Sequence, residues 1–484
     1  MGKSVAKNAL YNSIRTISSM LFPLITFPYA SRVLLAENLG KVDFSTSFVS
    51  YFSLIASLGI STYAMRSGAQ VRDDKEKLDR FASQILSINM VSTVVSYLLL
   101  AITLVVWPHL QGYFTLIAVR SVTIIATTLG VEWIYTIEED YGYITLRTIA
   151  VQIVSAVLLF ALVRRPSDYV IYAGISVFSS VGANVFNLIR SRRYVKLRFT
   201  WDMELERHLV PILILFGNAI ATTIYINVDV TLLNVMCGDR EVGIYSTATR
   251  IYSIIKSLLN SLTFVAIPRL SFYRANGKNG EYDNLLASVA HGIIVTLLPV
   301  LTMLFLMADY AVLIVAGSGY VDSTQPLRIL CLAAMPAICG AYTVNGILLT
   351  NGAERLVLGC TIVGAAVNFI LNLFVIPSFG AVGAAVTTAI AEACVFGVSV
   401  MNIGRFCDIH RLLANTRKPM ITTICVMVSF AVVYPLLQMV FGHNLVSAFA
   451  SGFLLMSLYV LIFLVSRDSL ALEAVAWVKR RIAR

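Results

Sequence analysis

The chain predicts an all-α integral membrane protein of about 14 transmembrane helices, and three observations carry that prediction. Its 484 residues are 58% hydrophobic and only 13% charged, with a mean hydropathy of +0.80, well beyond water-soluble norms. Apolar stretches of the roughly 20 residues that cross a bilayer recur along its whole length. Four of these stretches also carry continuous polar stripes, two in each half of the chain. The architecture expected is two pseudo-symmetric six-helix lobes, residues 1–206 and 207–404, followed by two C-terminal helices and a basic tail within 405–484.

The spans begin near Asn8, Val42, Phe81, Tyr113, Ile144, Asp168, Leu209, Gly243, Leu286, Pro326, Val357, Gly380, Met420 and Asn444. In the first, Asn8, Asn12, Arg15, Ser19, Thr26 and Tyr29 recur at helical spacing; in the second, Asp43, Thr46, Ser47, Ser50, Ser53, Ser57 and Ser61 do so. The pattern returns in Asn218, Thr222, Tyr225 and Asp229, and again in Ser246, Thr249, Arg250, Ser253, Lys256, Ser257 and Asn260. Side chains at those offsets share one face of a helix. Lipid cannot solvate such a face, which must therefore look into protein or water. Four polar faces, two per half, are the plan of a transporter with an aqueous cavity on a pseudo-two-fold axis.

Charge placement sets the orientation. Lys and Arg crowd the N-terminus (Lys3, Lys7), the 65–81 loop, the 190–207 loop, the 404–418 loop and the C-terminal tail. By the positive-inside rule these segments and both termini are cytoplasmic. The net charge of +11 thus has a topological cause and needs no nucleic-acid partner. Lys3 and Lys7 precede a full-length span with no small-residue cleavage site, so no cleavable signal is expected. The seven cysteines are scattered without metal spacing, and the five histidines lie mainly at span ends, where small apolar fillers and interfacial side chains are the ordinary reading. No metal site is expected. No phosphate-binding or dinucleotide loop is present, so neither ATP hydrolysis nor a bound cofactor is expected. Short outer loops disfavour a membrane-bound glycan polymerase or ligase, and the chain reads as a non-enzyme.

An internal repeat reinforces the two-lobe plan. Leu39-Gly40-Lys41-Val42 opens the second span and Val242-Gly243-Ile244-Tyr245 the eighth. Each places a glycine at the outer mouth of a polar-striped helix, and repeats of this kind put the substrate site at their interface. Around these residues the chain resembles Wzx-type oligosaccharide flippases of the multidrug/oligosaccharidyl-lipid/polysaccharide exporter superfamily. The resemblance is carried by Leu24-Ile25-Thr26-Phe27-Pro28-Tyr29-Ala30-Ser31-Arg32-Val33-Leu34 with Gly40-Lys41-Val42, by Ser61-Thr62-Tyr63-Ala64-Met65-Arg66, and by Trp133 with Glu138. Pro166-Ser167-Asp168-Tyr169 and Arg193-Tyr194-Val195-Lys196-Leu197 follow in order. Asp229, Gly238-Asp239-Arg240-Glu241-Val242-Gly243, Pro268-Arg269, Asn368 to Asn372 with Ile376-Pro377, and Gly380 to Ala385 with Glu392 extend it to about residue 400.

The resemblance implies a flippase of the bacterial inner membrane. It would translocate polyprenyl-pyrophosphate-linked oligosaccharide units by alternating access for O-antigen, capsule or exopolysaccharide synthesis. Membrane lipids surround it, and proton or sodium coupling and a polysaccharide polymerase are expected associates. The residues suit that chemistry. Arg15, Arg120, Arg250 and Lys256 supply cations for an anionic pyrophosphate, while Asn12, Ser50, Ser53, Ser253 and Asn260 offer a polar path for sugar. Asp43 and Asp229 are either ion-coupling carboxylates or partners of Arg250. Arg147 and Arg328, near span ends, are expected to snorkel to the interface. The serine stripes also have a plainer reading, since small hydroxyl residues let helices pack closely. The alternative function is a drug or cation antiporter of the same superfamily, which would favour acidic residues in its cavity; the first span has Arg15 and no carboxylate.

Overall fold

The computed structural model describes residues 5–407, 409–441 and 444–465 and, among them, is helical with no strand. The basic tail, including Arg467, Lys479, Arg480, Arg481 and Arg484, lies outside the described residues, as do the side chains of Asn218, Arg411, Arg417 and Lys418. Eleven helical stretches are long and apolar enough to cross a membrane. Two of them, 63 and 50 residues long, reach about 95 and 75 Å at about 1.5 Å per residue, enough for two crossings of an apolar core of about 30 Å. With those doubled and the shorter apolar helix Thr423–Met439 added, the crossings match the span count expected from hydropathy.

The chain divides into two compact units. Unit 1 comprises residues 1–246 and the short segment 315–319. It contains α1 (Val5–Ser57), α2 (Ile60–Ala69), α3 (Lys75–Val106), α4 (Phe114–Gly130), α5 (Glu132–Ile137), α6 (Tyr141–Leu162), α7 (Tyr169–Val181), α8 (Asn184–Ser191), α9 (Leu205–Cys237) and the first residues of α10 (Asp239–Ala275). Within it α1 packs against α3, α4, α6 and α9. One face of α1 builds the core through Phe44, Phe48 and Phe52, a ladder of rings 6.0 and 5.3 Å apart that meets Leu100, Leu110 and Ile117. The i, i+4 spacing sets the rings one above the other.

Three backbone breaks shape unit 1. In α1, Leu35 leaves the helix at φ 64°. Between α1 and α2, Leu58 (φ 47°) and Gly59 (φ 69°) turn left-handed, and Val131 (φ 37°) does so between α4 and α5. Left-handed backbone at leucine or β-branched valine is strained, by on the order of 1–3 kcal/mol. The carbonyls orphaned at these breaks cannot find water within a bilayer. Buried side chains satisfy them: Asn89 and Ser92 donate to Ala56 O at 2.5 and 2.6 Å, Asn184 to Ala126 O at 2.9 Å, and Asn187 to Gly130 O at 2.8 Å.

The two repeat glycines meet. A methyl on Gly40 would lie 1.8 Å from Asp239 O, and one on Gly243 would lie 2.0 Å from Ala36 O. The separations 243 − 40 and 239 − 36 are both 203, so each glycine presses on the counterpart of its partner's contact. Backbone lies on backbone here, and only glycine permits it.

Unit 2 comprises residues 247–314 and 320–484. It holds the remainder of α10, α11 (Asn279–Leu306), most of α12 (Ala308–Val315), α13 (Thr324–Ala341), α14 (Glu354–Ile403), α15 (Ile409–Phe441) and α16 (Leu445–Val465). A wide helical turn at Tyr342–Leu348 follows α13. The 50-residue α14 reverses at Gly380, φ 52°, where glycine carries a conformation closed to other residues. It packs against α13, and α15 lies along α11. Val426, Phe430 and Tyr434 of α15 and Leu455, Tyr459 and Phe463 of α16 form a core cluster, with Tyr459 OH donating to Val295 O at 2.6 Å.

Candidate functional site

In unit 1 the polar stripe at the start of α1 meets α5 and α6. Arg15 lies 2.5 Å from Glu132 Oε1, and Arg147 of α6 lies 3.1 Å from Glu132 Oε2. Asn12 Oδ1 accepts from Arg15 at 3.2 Å. One carboxylate therefore serves two guanidiniums, leaving a net charge of +1. Arg15 keeps 32% of its side-chain surface and Arg147 9%, so Arg15 is the cation a ligand could reach. Arg147, expected to snorkel to the interface, lies on Glu132 and over the Tyr143 ring at 5.8 Å. A carboxylate and an aromatic face both stabilise its guanidinium there.

Further along α1 the stripe is consumed by packing. Ser18 donates to Gln152 Oε1 at 2.7 Å, Gln152 Nε2 donates to Ser19 at 3.4 Å, and Tyr29 OH donates to Val163 O at 2.8 Å. The second half of α1 satisfies itself: Thr46, Ser50 and Ser57 donate to Val42 O, Ser47 O and Leu54 O, one turn back. Such back-bonding lets a hydroxyl sit in an apolar surround without a cavity. Ser53 is 3.4 Å from Thr123 of α4. Arg120 of α4 is buried at 8% exposure, Asp43 at 9% and Asp229 at 5%. Asp229 accepts from Tyr245 OH, tying α9 to α10.

Unit 2 holds a second cluster. Lys256 Nζ of α10 lies 2.5 Å from Glu392 Oε1 of α14 and 5.4 Å from the Tyr252 ring centroid. Glu392 retains 8% of its side-chain surface and Lys256 26%. Here one carboxylate meets one cation and the pair is neutral. Around it, Arg250 and Asn260 are half-buried and Ser253 is exposed. Asn260 Oδ1 is enclosed and accepts no hydrogen bond among the described residues. Deeper in α14, Asn372 Nδ2 donates to Asn368 Oδ1 at 3.2 Å and Thr387 donates to Asn372 Oδ1.

A model of the family described as polysaccharide biosynthesis protein matches residues 5–273, more than half of the chain. The chain belongs to this family. Over 413 residues it is 23% identical to a protein of Escherichia coli (strain K12) named "Putative O-antigen transporter", covering 82% of this chain and 96% of that one. Over 166 residues it is 25% identical to the Haloferax volcanii protein named "Probable low-salt glycan biosynthesis flippase Agl15", covering 34% of this chain and 35% of that one. Of solved structures, lipid II flippase MurJ in an inward closed conformation aligns with a TM-score of 0.73 at 14% identity, covering 96% of this chain and 100% of that one. An inward-facing multidrug resistance MATE family transporter of the MOP superfamily aligns at 0.58 and 15% identity, covering 85% and 99%. These two likenesses are of fold. The resemblance to Wzx-type flippases, read from motifs alone, is borne out.

In this polysaccharide biosynthesis family member, the structure brings together Asn12 with Arg15, and it neutralises Lys256. It also adds two residues that the sequence reading placed in no site: Glu132 and Glu392. Each had a signal in the sequence, because a carboxylate that adjoins or interrupts an apolar run is costly and needs a partner. Glu392 sits within the span starting at Gly380, and Glu132 directly follows the fourth span. The acidic run after it also has partners: Glu139 lies 3.3 Å from Arg72, and Asp140 lies 3.0 Å from Arg190. Among the described residues no three His, Cys, Asp or Glu side chains gather as a metal site would require.

Proposed function

We propose that this multi-pass membrane protein flips oligosaccharide units attached to polyprenyl pyrophosphate from the cytoplasmic to the outer leaflet of the bacterial inner membrane, for surface polysaccharide assembly. The observation that carries the reading is the Arg15–Glu132–Arg147 cluster, which holds surplus positive charge in an apolar setting. Ionisable residues within membrane helices mark functional sites by default, and a cation in surplus suits an anionic ligand. Arg15 offers a guanidinium fork to phosphate oxygens, with Asn12 beside it. Arg120, Arg250 and Lys256 would add cationic character, and Ser50, Ser53, Ser253 and Asn260 hydroxyl and amide groups for sugar. Asp43 and Asp229 would couple transport to a proton or sodium ion. The lobes 1–206 and 207–404 would rock to expose the path to either side, with 405–484 appended, both termini in the cytoplasm, and a polymerase receiving the product. A cation antiporter suits this charge surplus poorly.

Deleting the gene should make a lipid-linked glycan accumulate on the cytoplasmic leaflet, detectable by leaflet-specific labelling, and re-expression should clear it. Normal surface polysaccharide and no accumulation in the deletion strain would overturn the reading.

A further inference from the structure

The breaks at Leu58–Gly59 and at Val131 border one cavity of about 270 Å³ in unit 1, close to the lower end of small-molecule sites at about 300–1,000 Å³. Ser57, Ser61, Asn89, Thr127, Glu132 and Asn184 line it together with Trp133. A site in a membrane helix bundle with so many polar groups is built for something other than lipid. Some of its donors are already spent. Ser57 and Thr127 already donate to Leu54 O and Ile124 O. Asn89 and Asn184 already donate to Ala56 O and Ala126 O. Each amide keeps a second N–H and each of these groups keeps lone pairs, Ser61 adds a hydroxyl and Trp133 an indole N–H, and Glu132 adds a carboxylate. Such a pocket, offering both donors and acceptors, suits a neutral ring bearing several hydroxyls, which donate and accept alike. Trp133 supplies the large, mostly apolar surface that the C–H side of such a ring requires.

Glu132 belongs to both the pocket and the arginine cluster. It lines the cavity and holds Arg15 at 2.5 Å. A pocket of hydroxyls and amides and an anion-seeking guanidinium are thus joined through one side chain. We propose that this cavity is the subsite for the sugar ring bonded directly to the pyrophosphate of the lipid-linked substrate, with the pyrophosphate on Arg15. The proposal rests on the flippase reading and names the part of the substrate that this pocket takes. It also gives the strained backbone a purpose: the two breaks lie at the edge of the space that α1, α2, α3, α4, α5 and α8 enclose.

Full-length protein in lipid nanodiscs should be titrated with bare undecaprenyl pyrophosphate and with undecaprenyl pyrophosphate carrying glucose, galactose, N-acetylglucosamine or N-acetylgalactosamine. At least one sugar-bearing lipid should bind about tenfold more tightly than the bare lipid, the yield of one or two net hydrogen bonds. Ser61→Phe, which fills the pocket from an exposed position, and Thr127→Val should bring that lipid to the affinity of the bare one and leave bare-lipid binding unchanged. Arg15→Ala should weaken both lipids alike. Binding of bare and sugar-bearing lipids with equal affinity in the wild type overturns the pocket assignment alone. So does a sugar increment that survives both pocket variants. Failure of every lipid to bind overturns the flippase reading, and this proposal with it.

Discussion

The cation–carboxylate clusters of the two units differ in one respect: two arginines share Glu132 in unit 1, whereas a single lysine faces Glu392 in unit 2. Both are assembled from residues more than a hundred positions apart, and both bring charge into membrane-spanning helices. Their stoichiometry separates them. The Lys256–Glu392 pair carries no net charge, so it draws an anion less strongly. The Arg15–Glu132–Arg147 cluster has a guanidinium in surplus, and Arg15 is its more exposed member. Counting cations along polar stripes ranks Lys256 with Arg15; counting their partners favours unit 1 for the proposed anion site and leaves a neutral pair in unit 2.

Breaking the neutral pair should have the largest effect. Glu392→Gln leaves Lys256 charged with no buried counter-charge, a loss of about 3–5 kcal/mol for ion pairs in protein interiors. Expression and thermal stability in detergent should fall sharply. Lys256→Met/Glu392→Leu should recover both, because it removes the charge together with its partner. Glu392→Gln protein that is as stable as wild type would end the distinction drawn here.

Removing the surplus cation should affect binding and leave folding intact. Arg15→Ala should weaken polyprenyl pyrophosphate binding by about ten- to a hundredfold, since a hydrogen bond to a charged group is worth about 1.5–3 kcal/mol. Its expression should match wild type, because Glu132 keeps Arg147. Arg15→Lys should restore only part of the affinity, an ammonium lacking the planar fork. Equal pyrophosphate affinity in Arg15→Ala and wild type would move the anion site elsewhere.

The smallest effect is expected at an exposed pair of the same chemistry. Arg328 lies 2.8 Å from Asp309, with 39% and 57% of their side-chain surfaces exposed. Solvent screens such pairs to about 0–1 kcal/mol. Arg328→Ala should therefore leave thermal stability and export close to wild type. A loss comparable to Glu392→Gln would show that burial is not what separates these pairs.

Much of this architecture was legible in the sequence. Apolar run length determined the spans, because every backbone group in a bilayer must bond within its own segment and a crossing requires a set number of residues. The repeat glycines were visible too, at Gly40 and Gly243, although their contact with each other was not. Other features belong to the tertiary structure alone. Helical spacing showed that the polar side chains of α1 share a face, but could not tell water from a neighbouring helix: Ser18, Ser19 and Tyr29 spend their hydrogen bonds on α6 and on Val163 just beyond it, and Ser50 and Ser57 on their own helix. Nor could spacing reveal which carboxylate would face which cation. Periodicity is a property of one helix, while charge neutralisation is a property of two, and the partner of Arg15 lies 117 residues away. The sequence by itself determined that charges were placed in apolar spans; only the meeting of side chains from α1, α5 and α6 at Glu132, and from α10 and α14 at Lys256 and Glu392, decided which of them were left in surplus.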